Sequence, residues 1–239
     1  MQNKQDYLIK TFQNAGISLS TEQADAFLQY ADLLEEWNQI INLTAITEFE
    51  EVVQKHFLDS VYPFALLKAN TDITLLDMGS GAGFPGIPLK ILFPQLNITL
   101  LDSLNKRILF LEGVIRHLGL EHITAIHSRA EDLAKNERFR EKYDIVTARA
   151  VAPMRILAEY CLPFVRLGGY FWAYKAENVA EEVKLAVKAI SILGGEGPES
   201  LHYTLPESEA GRSLIQYQKT DLSPASYPRK AGTIAKKPL

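Results

Sequence analysis

The chain has 239 residues, 47% of them hydrophobic and 23% charged, an ordinary globular composition with room for one large domain or one domain and a small accessory. A formal net charge of −4 argues against a protein that coats nucleic acid all over, but leaves room for a local basic patch. The single cysteine, Cys161, allows no intrachain disulfide; the opening MQNKQDYLIK lacks the apolar core of a signal peptide, and no apolar run is long enough for a bilayer, so a cytoplasmic protein without a membrane anchor is expected.

Residues 1–70 read as a helical extension. Ser20 followed by Gln23 has the form of a capping box. Behind it Phe27, Tyr30, Ala31, Leu34, Trp37 and Ile41 recur at helical spacing, which predicts one apolar stripe packed on the next domain. From Ile73 the period changes. Strands are predicted over Ile73–Met78, Asn97–Asp102, Ile123–His127, Tyr143–Thr147 and Tyr170–Tyr174, with helical stretches between them that include Lys106–His117 and Glu177–Leu193. Such alternation implies an α/β fold with a doubly wound parallel sheet, here over residues 71–223. Glu199–Leu205 and Ser213–Thr220 have no helix between them and predict an antiparallel hairpin capping the sheet edge. Residues 224–239 form a basic tail with Arg229, Lys230, Lys236 and Lys237 and no acid.

The stretch LLDMGSGAGFPGIPL follows the first strand. Gly81, Gly83 and Gly86 spell the dinucleotide pattern G-x-G-x-x-G, but the strand ends at Met78 and the turn must begin at Gly79. Counted from there, the third dinucleotide position is Phe84, and the glycine that lets helix and strand close around a pyrophosphate is missing. Asp77 would repel a pyrophosphate and attract a cation. S-adenosylmethionine, with a sulfonium, an amino group, a ribose and no phosphate, matches this loop. Asp102 ends the second strand, where an acid accepts ribose hydroxyls; NAD would use it equally, and a plain strand-end aspartate is the alternative. Ser128-Arg129-Ala130-Glu131-Asp132 follows the third strand and is either an adenine edge or a set of helix-N-terminal acids.

These residues resemble the bacterial 16S ribosomal RNA guanine-N7 methyltransferases, the glucose-inhibited division B family. The resemblance runs through Trp37-Asn38 and Asn42–Ile46, His56–Ser60, Asp77–Pro88, Asp102–Leu104 with Lys106-Arg107, Arg129–Glu131, Tyr143–Pro153, Tyr227–Arg229 and the closing Lys-Lys-Pro-Leu. It implies a Rossmann-like class I methyltransferase domain, S-adenosylmethionine as donor and a guanine in the 530 loop of the small-subunit RNA as acceptor. It implies cofactor contacts at Gly79, Phe84, Asp102, Ser103, Leu104, Ala130, Glu131 and Arg149; Gly81 joins them as a loop glycine.

The acceptor atom is tested by what is missing. Pyrimidine C5 methylation needs a cysteine nucleophile, and Cys161 lies in a helical stretch as a core residue. Exocyclic amines call for an Asn/Asp-Pro-Pro-aromatic turn where this chain has Ala148–Pro153. Ribose methylation calls for lysines and acids, and Lys175 is present but Arg149 replaces the expected aspartate. Guanine N7 needs no base, since its in-plane lone pair carries no proton. Arg149 is assigned to O6, a phosphate or the cofactor carboxylate, with a structural ion pair as the alternative. Lys106, Arg107, Arg129, Lys175 and the four tail cations are candidates for RNA phosphates; removing the tail charges is expected to weaken RNA binding and leave cofactor binding alone. Phe84 either flanks the sulfonium, stacks on a base or packs the loop. The five histidines have no metal-binding spacing; His122 and His127 read as structural, and His56 with Asp59 as an inter-element hydrogen bond. A monomer acting on 16S rRNA or the small subunit is expected. A ribose or small-molecule methyltransferase, a non-catalytic S-adenosylmethionine-binding module and, more distantly, an NAD-dependent dehydrogenase are the competing readings.

Overall fold

Leu75 and Leu76 are sequence neighbours, both fully buried, and they belong to different cores. Side chains alternate across a strand, so a strand covered on both faces reads as one continuous apolar run. In the computed structural model, which describes residues 2–239, β1 (Thr74–Met78) is such a strand. It pairs in parallel with β2 (Asn97–Asp102) and β4 (Tyr143–Arg149); β2 pairs with β3 (Ile123–His127) and β4 with β5 (Val165–Ala176). The sheet ends with β6 (Gly195–Thr204) and β7 (Gly211–Lys219), in the order β3-β2-β1-β4-β5-β7-β6.

The expected hairpin is present, and its second strand β7, not β6, lies antiparallel to β5. β2 and β3 have the expected bounds. β5 begins earlier than expected because Val165 already pairs with Tyr143, before a register irregularity that precedes Tyr170. Gly168 and Gly169 hide this from a propensity reading, since glycine marks a break or a bulge within a strand.

One face of the sheet carries α1 (Gln2–Asn14), α2 (Thr21–Asn38), α3 (Phe49–Val52), a π-helical turn Val53–Leu58 and α4 (Asp59–Leu66), with α5 (Gly86–Leu92) and α6 (Asn105–His117). The other carries α7 (Ala130–Leu133), α8 (Met154–Cys161) and α9 (Ala180–Ile192), with Cys161 buried in that core; α10 (Ala231–Lys236) contacts α8. The capping box of α2 forms: Ser20 Oγ accepts from the Gln23 amide at 3.2 Å, and the Ser20 amide donates to Gln23 Oε1 at 2.9 Å. The Gln23 amide group also donates to Ile91 O and Leu92 O at 3.2 and 3.0 Å, tying the extension to the end of α5. The α2 stripe is buried at Phe27, Tyr30, Ala31 and Leu34, while Ile41 falls beyond the helix, where Asn38 clamps the next loop by accepting from Leu43 and Thr44 amides.

Chain order and sheet order reverse between β1 and β4. In open α/β sheets the crevice at the carboxyl ends of such a strand pair is where ligands bind. Gly86, at the start of α5, lets this helix sit against β1 and β2: an added Cβ would lie 2.3 Å from Leu100 Cδ2 and 2.9 Å from Asp77 Oδ2. Gly86→Ala is therefore expected to destabilise the fold by ~1–3 kcal/mol, the range for an overpacked core, checked by denaturant titration.

Candidate active site

The loop after β1 is folded by its own backbone. Gly79 and Ser80 amides donate to Leu101 O at 2.8 and 3.0 Å, and Gly83 and Phe84 amides to Ser80 O at 2.8 and 3.1 Å. Gly79 and Gly81 have φ of +69° and +60°, the left-handed region that glycine enters without a Cβ penalty. The Tyr30 hydroxyl, from α2, donates to Ala82 O and pins the loop from below.

Asp102 closes the loop from the side. Its Oδ2 accepts the Gly81 amide at 2.9 Å and its Oδ1 the Leu104 amide at 2.9 Å, and Arg107 Nη1 lies 3.4 Å from Oδ2. A carboxylate has about four lone-pair sites, so acceptor capacity remains. A pocket of about 150 Å³ opens beside it, lined by Gly79, Asp102, Ser103, Ala130, Glu131 and Tyr160 among others. Arg129, at its rim, lies 3.8 Å from Glu131. Leu104 is exposed at the start of α6. Under the loop Asp77 is fully buried; Oδ2 accepts the Gly86 amide at 3.0 Å and Oδ1 has no partner. The two carboxyl groups that line the pocket, Asp102 and Glu131, against the one lining arginine, Arg129, suit a ligand with hydroxyls and cationic character, and do not suit a pyrophosphate.

Burial pushes the Asp77 carboxyl up to about 7. Its folded value exceeds the unfolded one, so its contribution to stability is full below about pH 4 and is lost as pH rises through 7. Asp77→Asn keeps an acceptor for Gly86 and removes the titration. Its stability relative to wild type is expected to improve on the order of 3 kcal/mol between pH 5 and 8, measured by urea unfolding at both values.

A second, larger pocket of about 530 Å³ shares Gly79 with the first. The segment after β4 divides them, with Val151 on the smaller pocket and Arg149 and Ala150 on the larger. Ala150 is held at φ +57°, which costs a non-glycine residue ~1–2 kcal/mol; strain of this kind gathers at functional sites. The larger pocket is basic, with Lys55, Arg107, Arg149, Lys175 and Arg212 against the one acid Asp59.

Asp59 organises these cations. Its Oδ2 lies 3.2 Å from Arg149 Nη1, and its Oδ1 accepts from the Tyr203 hydroxyl at 3.2 Å and lies 3.5 Å from Arg212 Nε. The Arg149 guanidinium also lies 5.0 Å over the Phe84 ring, and His56 stacks on that ring at 4.4 Å. Phe84 is thus a buried spacer in the loop, already stacked within the chain. His56 Nε2 is 2.7 Å from Thr44 Oγ1, and burial together with the Arg149 charge pushes its imidazole down to about 4, so it is neutral near pH 7. His56 and Asp59 do make inter-element hydrogen bonds, each with its own partners.

The cations expected to meet RNA separate into groups. Arg107 and Lys175 line the larger pocket, Arg129 the smaller, and Lys106 is exposed outside both. Lys175 is not a free charge: it lies 2.5 Å from Glu182 Oε1 and donates to Ala152 O at 3.1 Å, holding the dividing segment. Arg229 is likewise committed, forked onto Glu159 at 2.8 and 2.6 Å, while Lys230, Lys236 and Lys237 are exposed. Lys55, Arg212, Tyr203 and Asp59 were not singled out as binding residues from sequence. Arg149 realises the ion pair and lines the pocket as well. Of the predicted histidine roles, His127 Nε2 donates to Ser103 O at 3.1 Å. Among the described residues, no helix is long and apolar enough to cross a membrane.

A family model described as rRNA small subunit methyltransferase G matches residues 23–208. The chain belongs to the rRNA small subunit methyltransferase G family. Ribosomal RNA small subunit methyltransferase G of Lachnoclostridium phytofermentans is 52% identical over 231 residues, covering 97% of this chain and 96% of that protein. The protein of the same name from Clostridium botulinum is 47% identical, covering 98% of each. Among solved structures, a predicted O-methyltransferase from Agrobacterium tumefaciens superposes with a TM-score of 0.55 at 14% identity, covering 71% of this chain and 82% of that one. Precorrin-6y C5,15-methyltransferase from Geobacter metallireducens gives 0.50 at 15% identity, covering 75% and 92%. These likenesses confirm the Rossmann-like methyltransferase fold of this member of the methyltransferase G family.

Proposed function

We propose that this chain transfers a methyl group from S-adenosylmethionine to N7 of a guanine in the 530 loop of 16S rRNA. The observation that carries the reading is the adjacency at Gly79 of an acid-lined pocket and a basic one. The smaller pocket takes the donor, with Asp102 on the ribose and Ala130 and Glu131 on the adenine side. The larger takes the guanine, its cations facing phosphate and O6. Bound S-adenosylmethionine would supply an electrophilic methyl carried on a sulfonium.

The titratable groups of the larger pocket support N7 over a hydroxyl. Asp59 is held by two arginines and a tyrosine. His56 engages Thr44, and burial raises the Tyr174 and Tyr203 hydroxyls far above their ordinary range. That leaves His56 and the two tyrosines poorly suited to take a proton near neutral pH. N7 attack releases none: the lone pair forms the bond to the methyl carbon as the carbon–sulfur bond breaks, and that electron pair stays on sulfur. The protein then acts by alignment, worth up to ~7–11 kcal/mol in oriented systems.

The test is transfer of labelled methyl to 16S rRNA, followed by chemical cleavage at 7-methylguanosine. Cleavage in the 530 loop supports the reading; label on ribose replaces it with 2′-hydroxyl methylation, and absence of transfer despite cofactor binding leaves a binding module. Asp102→Ala removes the bonds to Gly81 and Leu104 and the ribose acceptor, and hydrogen bonds to charged groups contribute ~1.5–3 kcal/mol. Calorimetry is expected to show cofactor affinity weaker by about tenfold or more, with RNA affinity nearly unchanged.

A further inference from the structure

Beyond β7 the chain turns back over the α8 face and is fastened by cations at three places. The fully buried Lys219 ammonium donates to Leu162 O and Leu193 O at 2.9 Å each and to Ser223 Oγ, and lies 3.3 Å from Glu141 Oε1. Arg140 donates to Tyr227 O and Ser223 O at 2.8 Å each and to Pro224 O at 3.2 Å. Arg229 closes the series. Its Nε and Nη2 meet Glu159 Oε1 and Oε2 at 2.8 and 2.6 Å, and its own amide donates to Oε1 at 2.8 Å. Glu159 is fully buried. A forked pair on a buried carboxylate fixes orientation as well as position, and breaking it would strand a buried charge.

The fastening has a geometric result at the acid-lined pocket. Glu159 and Tyr160 are adjacent on α8; the first holds Arg229, and the second lines the pocket. Two residues after Arg229, Ala231 stands in the wall of the same pocket, together with Ser128, Ala130 and Glu131. Ile234, fully buried, seats α10 behind it. The wall residue is small, so the pocket stays open on that side.

We propose that residues 227–239 form the outer wall of the nucleoside half of the methyl-donor pocket, with Ala231 as the wall residue and the Arg229–Glu159 pair as its fastening. The proposal rests on the assignment of that pocket to the donor. It gives this segment a part in cofactor affinity, where its charge alone had pointed to RNA. The ligand class is an adenosine carrying a sulfur substituent.

The experiment measures S-adenosylhomocysteine binding by calorimetry and binding of a 530-loop RNA by the wild-type chain, by Ala231→Phe, and by a chain cut after Ser226. Ala231→Phe leaves the ion pair in place and puts a ring into the pocket. It is expected to weaken S-adenosylhomocysteine binding by about tenfold or more with an unchanged melting temperature and RNA affinity within about twofold. The shortened chain is expected to lose cofactor affinity likewise; if it fails to fold, Ala231→Phe decides alone. Equal S-adenosylhomocysteine affinity in wild type and Ala231→Phe overturns the proposal and leaves the donor assignment standing. A wild-type chain that binds no S-adenosylhomocysteine overturns both.

Discussion

RNA whose target guanine is replaced by 7-deazaguanine is expected to bind this enzyme and accept no methyl group. The replacement removes one ring nitrogen and keeps O6 and the pairing edge, so the arginines of the basic pocket retain their acceptors. Binding should change by less than about threefold, since N7 must be left free for reaction and its replacement removes no hydrogen bond; losing even one neutral hydrogen bond, ~0.5–1.5 kcal/mol, would weaken binding only about two- to tenfold. Transfer should vanish because the nucleophile is gone. With normal RNA the single-turnover rate should be nearly flat in pH while protein and RNA stay folded, because no base has to lose a proton in the step. Transfer to the 7-deaza RNA at the normal rate would eliminate N7 and move the reaction to the ribose.

Asp59→Ala should lower single-turnover transfer about a hundredfold, the scale on which small misplacements near the reacting atoms act. Arg149, Arg212 and Tyr203 all converge on this one carboxylate. Without it, two guanidinium groups repel each other across the acceptor pocket, and Arg149 keeps its place over the Phe84 ring and long contacts of 3.5 Å to Lys55 O and His56 O. Cofactor affinity should stay within about twofold, since Asp59 does not line the donor pocket. Asp59→Asn keeps an acceptor for Tyr203 and should recover part of the rate. Equal loss of cofactor binding and transfer would show instead that the whole crevice had collapsed.

The half of the site that follows single strands was legible in the sequence. Gly79, Asp102, Ala130 and Glu131 each sit at or just beyond a strand end that composition marks clearly, and the parallel order carries all those ends to one edge. The other half was not, because it is assembled over long distances in the chain. Asp59 meets Arg149 across 90 positions and Tyr203 across 144. It opens α4 directly after a π-helical turn, whose hydrogen-bond spacing shifts the helical phase and defeats a reading at 3.6 residues. Charge was legible, and its use was not: Lys175 and Arg229 look like any solvated cation until Glu182 and Glu159 are placed beside them. Phe84 departs in sequence from the glycine of dinucleotide binders, and in the structure its ring is spent on His56 and Arg149.

The position of β7 between β5 and β6 bears on how the protein is made. A chain emerging from the ribosome releases β5 first and β6 next, yet among the described residues the only strand that β6 pairs with is β7. Until β7 appears, the long edge of β5, with Phe171, Trp172 and Ala173 on it, has no partner on that side. Open strand edges of this kind are where nascent chains stick to one another. The sheet can therefore be completed only after β7 has emerged, and synthesis interrupted before Gly211 leaves the β5 edge open in the fragment.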